Sequence, residues 1–176
     1  MISPEYRSTL ERMREIEPAW GNGGAKYVGT VLGLLGGRPS ILDYGSGLGE
    51  FKKACGIRAQ VAEYEPSIPE KSELPVGPFE AVVCTHVLEH IEPEHLDATI
   101  LELAERARRL IFIEVPHHAA RAILPDGRNA HLICKTTEWW RDTLIRLLPD
   151  WQLETRFPAA PPHRRTQYVL TRTSKC

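Results

Sequence analysis

Ser40-Ile41-Leu42-Asp43-Tyr44-Gly45-Ser46-Gly47-Leu48-Gly49-Glu50 is the stretch that decides the fold. A short apolar run ends in an acid, and glycines at 45, 47 and 49 follow at alternate positions. Without a Cβ, such glycines let a tight turn bring its backbone N–H groups close to a ligand. Pro39 precedes the run and a helix-permissive segment follows it, the strand–loop–helix setting that such a turn needs. The spacing alone also suits an ordinary glycine-rich turn, so the neighbouring stretches must decide.

About 20 residues on, Val61-Ala62-Glu63-Tyr64-Glu65-Pro66-Ser67 reads as a second strand closing on an acid, where a doubly wound sheet places its ribose-binding carboxylate. Phe79-Glu80-Ala81-Val82-Val83-Cys84-Thr85-His86-Val87-Leu88-Glu89-His90-Ile91 then gives a buried strand running into Leu-Glu-His. Together these resemble the class I S-adenosylmethionine-dependent methyltransferases, whose pattern is LDxGxGxG, an acid ending the second strand, and a fourth strand running into V-L-E-H. The resemblance covers residues 40–172. Asp43-Tyr44-Gly45, Glu63-Tyr64-Glu65-Pro66 and the run from Leu124 to His131 (LPDGRNAH) further resemble a smaller branch of that family. The resemblance implies an α/β fold, a Rossmann-like doubly wound sheet of about six strands, mostly parallel.

The chain has 176 residues, enough for one domain, read as two N-terminal helices over the cleft (1–37) and a catalytic core (38–176). Hydrophobic residues at 42% and charged ones at 26% are ordinary for a globular protein. A net charge of −1 provides no global field to recruit nucleic acid or an anionic membrane, although a local basic patch stays open. No apolar run reaches a membrane span, and the first residues lack a signal-peptide core. Cys55, Cys84, Cys134 and Cys176 form no C-x-x-C pair, which fits reduced thiols in a cytoplasmic protein.

In chain order, Ser3-Pro4-Glu5 starts a helix expected to reach Ile16, lying on the surface or over a cleft. Trp20 sits in a glycine-rich loop, and Val28, Val31, Leu32 and Leu35 mark an amphipathic helix. Strands are expected over 40–44, 60–64, 79–84, 110–115, 151–157 and 166–172, with helices over 50–55, 93–108 and 136–148. Residues 67–77 are too few for a crossover helix and another strand, so the third-strand region of the family is truncated. The proline-rich loop 158–162 is too short for a crossover, so the last two strands pair antiparallel. Of Trp139-Trp140 one ring is expected in the core and one on the surface, and Arg164-Arg165 at a solvated loop tip.

The resemblance places S-adenosylmethionine on Asp43, Tyr44, Gly45, Ser46, Gly47 and Gly49 at its methionine end, with Glu65 on the ribose hydroxyls and Thr85 touching it through the backbone. A carboxylate offers two oxygens to two adjacent donors, and Glu65 in place of the commoner Asp is one methylene longer. His86 reads as the catalytic residue, a general base or substrate contact, or else as a hydrogen-bonded loop histidine. His117, Arg128, Asn129 and His131, on the long connection 116–135, are the candidates for a substrate wall, or for a loop pinned by its own polar groups. The expected activity is methyl transfer to a small molecule or a sugar or nucleotide derivative.

Two alternatives stay open. His86, Glu89, His90 and His131 are of metal-ligand type, similar to the Glu-x-x-Glu-His plus later His of the small-RNA 2′-hydroxyl methyltransferases, which suggests metal-assisted methylation of an RNA ribose. The domain may alternatively be read as a non-catalytic module binding the cofactor or S-adenosylhomocysteine. NAD binding fits poorly, because Glu50 stands where GxGxxG needs its last glycine.

Overall fold

The structure, a computed structural model, describes residues 2–17, 21, 23–157 and 164–172. Trp20, Cys176 and the proline-rich loop 158–162 lie outside the described residues.

Helix α1 (Pro4–Ile16) begins as its sequence dictates: the Ser3 hydroxyl accepts from the Tyr6 N–H and Pro4 takes the first turn. A 3₁₀ turn (Gly24–Tyr27) leads into α2 (Val28–Leu35). Next come β1 (Ser40–Tyr44), α3 (Glu50–Cys55), β2 (Gln60–Tyr64) and β3 (Phe79–Thr85). Helix α4 (Leu96–Arg106), β4 (Ala107–Pro116), α5 (Thr137–Leu147), β5 (Trp151–Arg156) and β6 (Arg165–Arg172) complete the chain. The sheet order is β2-β1-β3-β4-β6-β5. The first four strands are parallel, while β6 runs antiparallel to both β4 and β5.

From β1 the chain turns one way to β2, and β3 lies on the other side, so the strand order reverses at β1/β3. Ligands of doubly wound sheets sit outside the carboxyl ends of the strands at such a point. As expected from the shortage of residues, only a 3₁₀ turn (Pro69–Lys71) lies between β2 and β3, which leaves β2 on the edge of the sheet.

Both faces of the sheet are covered, so its strands read as near-continuous apolar runs. On one face Leu42, Val82, Ile111 and Ile113 pack with Ile100 and Leu103 of α4 and Trp140 and Leu144 of α5. On the other, Ile41, Val83, Leu110 and Phe112 pack with Val28 and Val31 of α2 and Phe51 of α3. Trp140 is fully buried and Trp139 is 37% exposed, the expected division of the pair.

Two expectations need correcting. The helix written as 93–108 is a 3₁₀ turn (Pro93–His95) followed by α4, and it stops at Arg106. Ala107 is already extended and pairs with Phe79, so Arg108 and Arg109 belong to β4. Arg164-Arg165 is not merely a solvated tip, because Arg165 starts β6 and its Nε approaches the buried Glu114 carboxylate at 3.5 Å.

Ile100 has no exposed surface and sits at the centre of the α4 face. Ile100→Ala is expected to lower unfolding stability by about 2–5 kcal/mol in a denaturant titration, the range for a truncated core aliphatic.

Candidate functional site

The turn after β1 holds three glycines in the left-handed region, Gly45 at φ 76°, Gly47 at 50° and Gly49 at 80°. Each also lacks room for a side chain: a Cβ would strike Val87 at Gly45, the Gly21 carbonyl at Gly47 and the Glu63 carboxylate at Gly49. The Gly45 and Ser46 N–H groups donate to the Tyr64 carbonyl at 2.8 and 3.0 Å, fastening the turn across the end of β2. Lys71 donates to the Gly47 carbonyl at 3.0 Å and to Glu63 at 2.8 Å. Asp43 is buried and its Oδ2 has no hydrogen bond among the described residues, nor has the buried Ser46 hydroxyl. Burial, helped by nearby Glu63, raises the Asp43 carboxyl to about 7. The Tyr44 ring reaches a cavity, but its hydroxyl donates to Glu102 of α4 at 2.9 Å. Thr85 ends β3 beside Glu114.

Glu65 closes this turn. Its Oε2 accepts from the Gly47 N–H at 3.1 Å and faces Arg14 Nη2 at 3.0 Å; its Oε1 accepts from the Ser67 hydroxyl at 2.6 Å and N–H at 3.2 Å. Arg14 Nε donates in turn to the Ser67 hydroxyl at 2.6 Å. Arg14 thus plugs α1 onto the strand-end carboxylate. The far end of α1 is fixed separately, since the Ser3 N–H and hydroxyl both donate to Glu92 at 2.8 Å. Sequence reasoning missed Arg14: it lies 51 positions before Glu65 (65 − 14), on a helix whose charges look solvated.

His86 follows β3 with φ at +57°, a sparsely populated conformation for a residue with a Cβ. Its N–H donates to the Glu114 carbonyl at 2.9 Å, and its Nε2 lies 3.1 Å from Glu114 Oε1 and 3.0 Å from the Tyr27 hydroxyl. Tyr27 also donates to Glu114 Oε1, and Gln167 to Oε2 at 2.7 Å. Burial alone would lower His86, but its contacts with Glu114 and Glu89 outweigh that and hold it up to about 9. Glu114 is buried too, yet contacts with His86, Tyr27 and Gln167 bring it down to about 2. Held near 9, His86 favours its protonated form at neutral pH, which suits a substrate contact better than a general base. Glu114, the one acid interrupting the apolar β4 run, was the available signal for this network.

Of the four residues expected to form the substrate wall, His131 alone lines either of the two cavities that meet at His86. The His117 ring is tied to Thr166 Oγ1 at 2.7 Å and the Lys135 carbonyl at 3.0 Å. Arg128 forks onto Asp126 at 2.9 and 2.7 Å and covers the Tyr6 ring. Asn129 clamps Ala120 through both its N–H and carbonyl and accepts the His131 N–H at 3.0 Å. Asn129 thus pins the long connection to itself, while His117 ties it to β6 and Arg128 lays it against α1. Of the four residues of metal-ligand type, Glu89, His90 and His131 come together and His86 is drawn aside toward Glu114.

Two cavities meet at His86 and His90. The smaller, about 90 Å³, lies under α1 between Tyr6, Leu10, Arg14, Tyr64, Gly45 and Glu65. The larger, about 740 Å³, lies within the usual range of small-molecule sites, about 300–1,000 Å³. Its wall holds Lys26, Arg121, Arg164 and His118 with one carboxylate, Glu17. Among the described residues Arg121 and Arg164 form no ion pair.

No protein-family model matches the chain, and no curated protein does. Solved structures do. The 1,6-didemethyltoxoflavin-N1-methyltransferase of Burkholderia thailandensis, with bound 1,6-didemethyltoxoflavin and S-adenosylhomocysteine, is 13% identical, the match covering 99% of this chain and 92% of that one at a TM-score of 0.64. Magnesium protoporphyrin IX methyltransferase from Synechocystis, with bound SAM, is 15% identical over 97% of this chain and 99% of its own, TM-score 0.65. DhpI in a complex with SAM and HEP is 16% identical over 98% and 100%, TM-score 0.66. At such identities the likeness is one of fold: the chain has the Rossmann-like sheet of these methyltransferases, with a shortened edge.

Because the folded-state carboxyl of Glu114 lies below its ordinary 4.5, its contribution to stability is present above that value and is lost as pH falls toward about 2. Glu114→Gln is expected to lose on the order of 1–3 kcal/mol at neutral pH. The variant's stability should also fall less steeply between pH 4.5 and 2 than the parent's, as read by denaturant midpoints across that range.

Proposed function

We propose that the chain transfers the methyl group of S-adenosylmethionine to a small, anionic acceptor. The observation that carries the first half is the joining of the left-handed glycine turn to the strand-end carboxylate through the Gly47 N–H···Glu65 hydrogen bond, at the point where the strand order reverses. That pairing puts a close-approach backbone and a two-oxygen acceptor at one place, as a nucleoside with an amino-acid tail requires. Asp43 Oδ2 and the Ser46 hydroxyl, without hydrogen bonds among the described residues, suit the polar methionine end. Arg14 and Ser67 occupy the Glu65 oxygens that two ribose hydroxyls would take. Binding therefore requires Arg14 to withdraw and α1 to lift, since the 90 Å³ beneath it is far below the usual volume of a ligand site.

The bound cofactor supplies a methyl on a sulfonium, whose thioether leaves neutral without an acid. What remains for the protein is to hold the acceptor in line at near-attack distance. The larger cavity is the place for it, because His86 lies in the wall of both cavities. Arg121 and Arg164, with no ion pair among the described residues, outweigh Glu17 and favour a carboxylate or phosphate on the acceptor, beside Lys26 and a protonated His86 that share Glu114. His86 then acts as a cationic contact rather than as a base.

Incubation with methyl-labelled cofactor and fractionated small molecules tests the reading, and label appearing in no anionic product would refute it. In calorimetry with S-adenosylhomocysteine, Glu65→Gln is expected to weaken binding about 10–100-fold, the worth of about 1–3 kcal/mol for a lost charged acceptor. Arg14→Ala, which removes the competitor for Glu65, should tighten it severalfold. Weaker binding by Arg14→Ala would mean that Arg14 grips the cofactor instead of blocking it.

A further inference from the structure

Glu89 has no exposed surface, and neither of its carboxylate oxygens makes a hydrogen bond among the described residues. An ionised carboxylate in that position is costly unless a cation answers it. Facing it are three imidazoles: that of His86, whose Nδ1 lies 3.5 Å from Glu89 Oε1 but whose Nε2 is committed to Tyr27 and Glu114, and those of His90 and His131. Glu89, His90 and His131 each present a ligand atom, and the three atoms lie within 4.8 Å of one another. His90 Nε2 is 3.9 Å from Glu89 Oε1.

The second ring nitrogens show how these imidazoles are aimed. His90 Nδ1 lies 2.6 Å from the Ala130 carbonyl, and His131 Nδ1 lies 2.6 Å from the His118 carbonyl. A carbonyl only accepts, so each Nδ1 carries a hydrogen, which leaves Nε2 as the nitrogen able to offer a lone pair to a metal. Backbone carbonyls holding one nitrogen while the other faces a cation are the usual outer support of metal-binding histidines. The supporting chain is itself fixed: Asn129 accepts the His131 N–H, and the Ile133 N–H donates to the Glu89 carbonyl at 3.0 Å. The two arms come from a 3₁₀ turn after β3 (Leu88–His90) and from the long connection before α5, so nothing local to either accounts for their convergence.

We infer that Glu89, His90 and His131 bind one divalent first-row transition-metal ion. Two imidazoles and one carboxylate suit Zn²⁺, Mn²⁺ or Fe²⁺ better than Mg²⁺, which prefers oxygen ligands. His86 stays outside the set: its Nε2 is held by Tyr27 and Glu114, and its Nδ1 lies 3.5 Å from Glu89 Oε1. His90 and His131 both line the larger cavity, so the ion's remaining positions face the space assigned to the acceptor. Two neutral imidazoles and one carboxylate leave a divalent ion with one positive charge, which an anionic oxygen would balance. That task rests on the methyl-transfer reading; the binding of the ion does not.

The test uses the full chain, stripped with a chelator, dialysed, and titrated separately with ZnCl₂, MnCl₂ and MgCl₂. Metal content is read by elemental analysis, affinity by calorimetry, and stability by thermal midpoint, with S-adenosylhomocysteine affinity measured on the same samples. About one equivalent of Zn²⁺ or Mn²⁺, a midpoint raised by the bound ion, and little response to Mg²⁺ are expected. Glu89→Gln and His131→Ala should each weaken uptake at least 10–100-fold, while keeping the parent's circular dichroism and S-adenosylhomocysteine affinity; His86→Asn should keep the metal. Substoichiometric uptake of all three ions, or unchanged uptake in a folded Glu89→Gln or His131→Ala, overturns the inference. If Glu89→Gln does not fold, His131→Ala carries the test alone. Metal bound without S-adenosylhomocysteine would sink the proposed function and leave the site standing, and the reverse result would do the opposite.

Discussion

A carboxylate removed from water must find a donor, a cation or a proton, and this chain sets one at or just beyond the end of each of its four parallel strands. Asp43 ends β1, Glu65 follows β2, Glu89 follows β3 and Glu114 sits near the end of β4, all four buried. The sheet brings them to one edge because parallel strands share a direction, so their carboxyl ends line up. Four buried acids at one edge would repel one another and the core beneath them unless each were answered separately. The answers differ, and the differences map the site.

Glu114 is answered wholly by the protein, through Tyr27, His86 and Gln167, and its network fixes the turn that carries His86 in a strained backbone conformation. Glu65 is answered by Ser67, the Gly47 N–H and the Arg14 guanidinium of α1. Asp43 and Glu89 keep oxygens with no hydrogen bond among the described residues, one beside the glycine turn and one beside two histidines. Fully satisfied groups build the scaffold. Those left wanting are where the proposed cofactor and metal ion would sit.

How much of this was legible follows from the range of each interaction. The glycine turn, the strand ends and the capping of α1 are local, so 40–44, 50–55 and 60–64 were read with the right bounds from propensity and pattern. The shortened edge was legible as arithmetic, because residues 67–77 cannot hold a crossover. The site's long-range partners were not. Arg14 to Glu65, Tyr27 to Glu114 and Glu92 to Ser3 join segments whose proximity exists only after the sheet has formed. The partners of the residues expected in the substrate wall were hidden in the same way: Asn129 bonds within its own loop, whereas His117 reaches Thr166 of β6 and Arg128 covers Tyr6 of α1. His131 differs from Asn129 by two positions and by pointing its ring at His90, which spacing cannot show.

The missing strand and the N-terminal helix belong to one argument. With β2 on the edge, no further strand or crossover helix among the described residues walls the cleft beyond Glu65. The side chains that do so come from the opposite end of the sequence: Tyr6, Leu10 and Arg14, one face of α1 at intervals of four, line the cavity beside Tyr64 and Ser67. A wall supplied by a helix from outside the sheet can be withdrawn without breaking a strand ladder, whereas a strand at the same place could not. Glu92 and Ser3 would then serve as the hinge end of α1, because the contacts there are independent of the Arg14 end. On the proposed reading Arg14 and a bound ribose compete for the one Glu65 carboxylate, while Tyr6, buried against Leu124 and Ala130, sets how far α1 can follow the guanidinium as it withdraws.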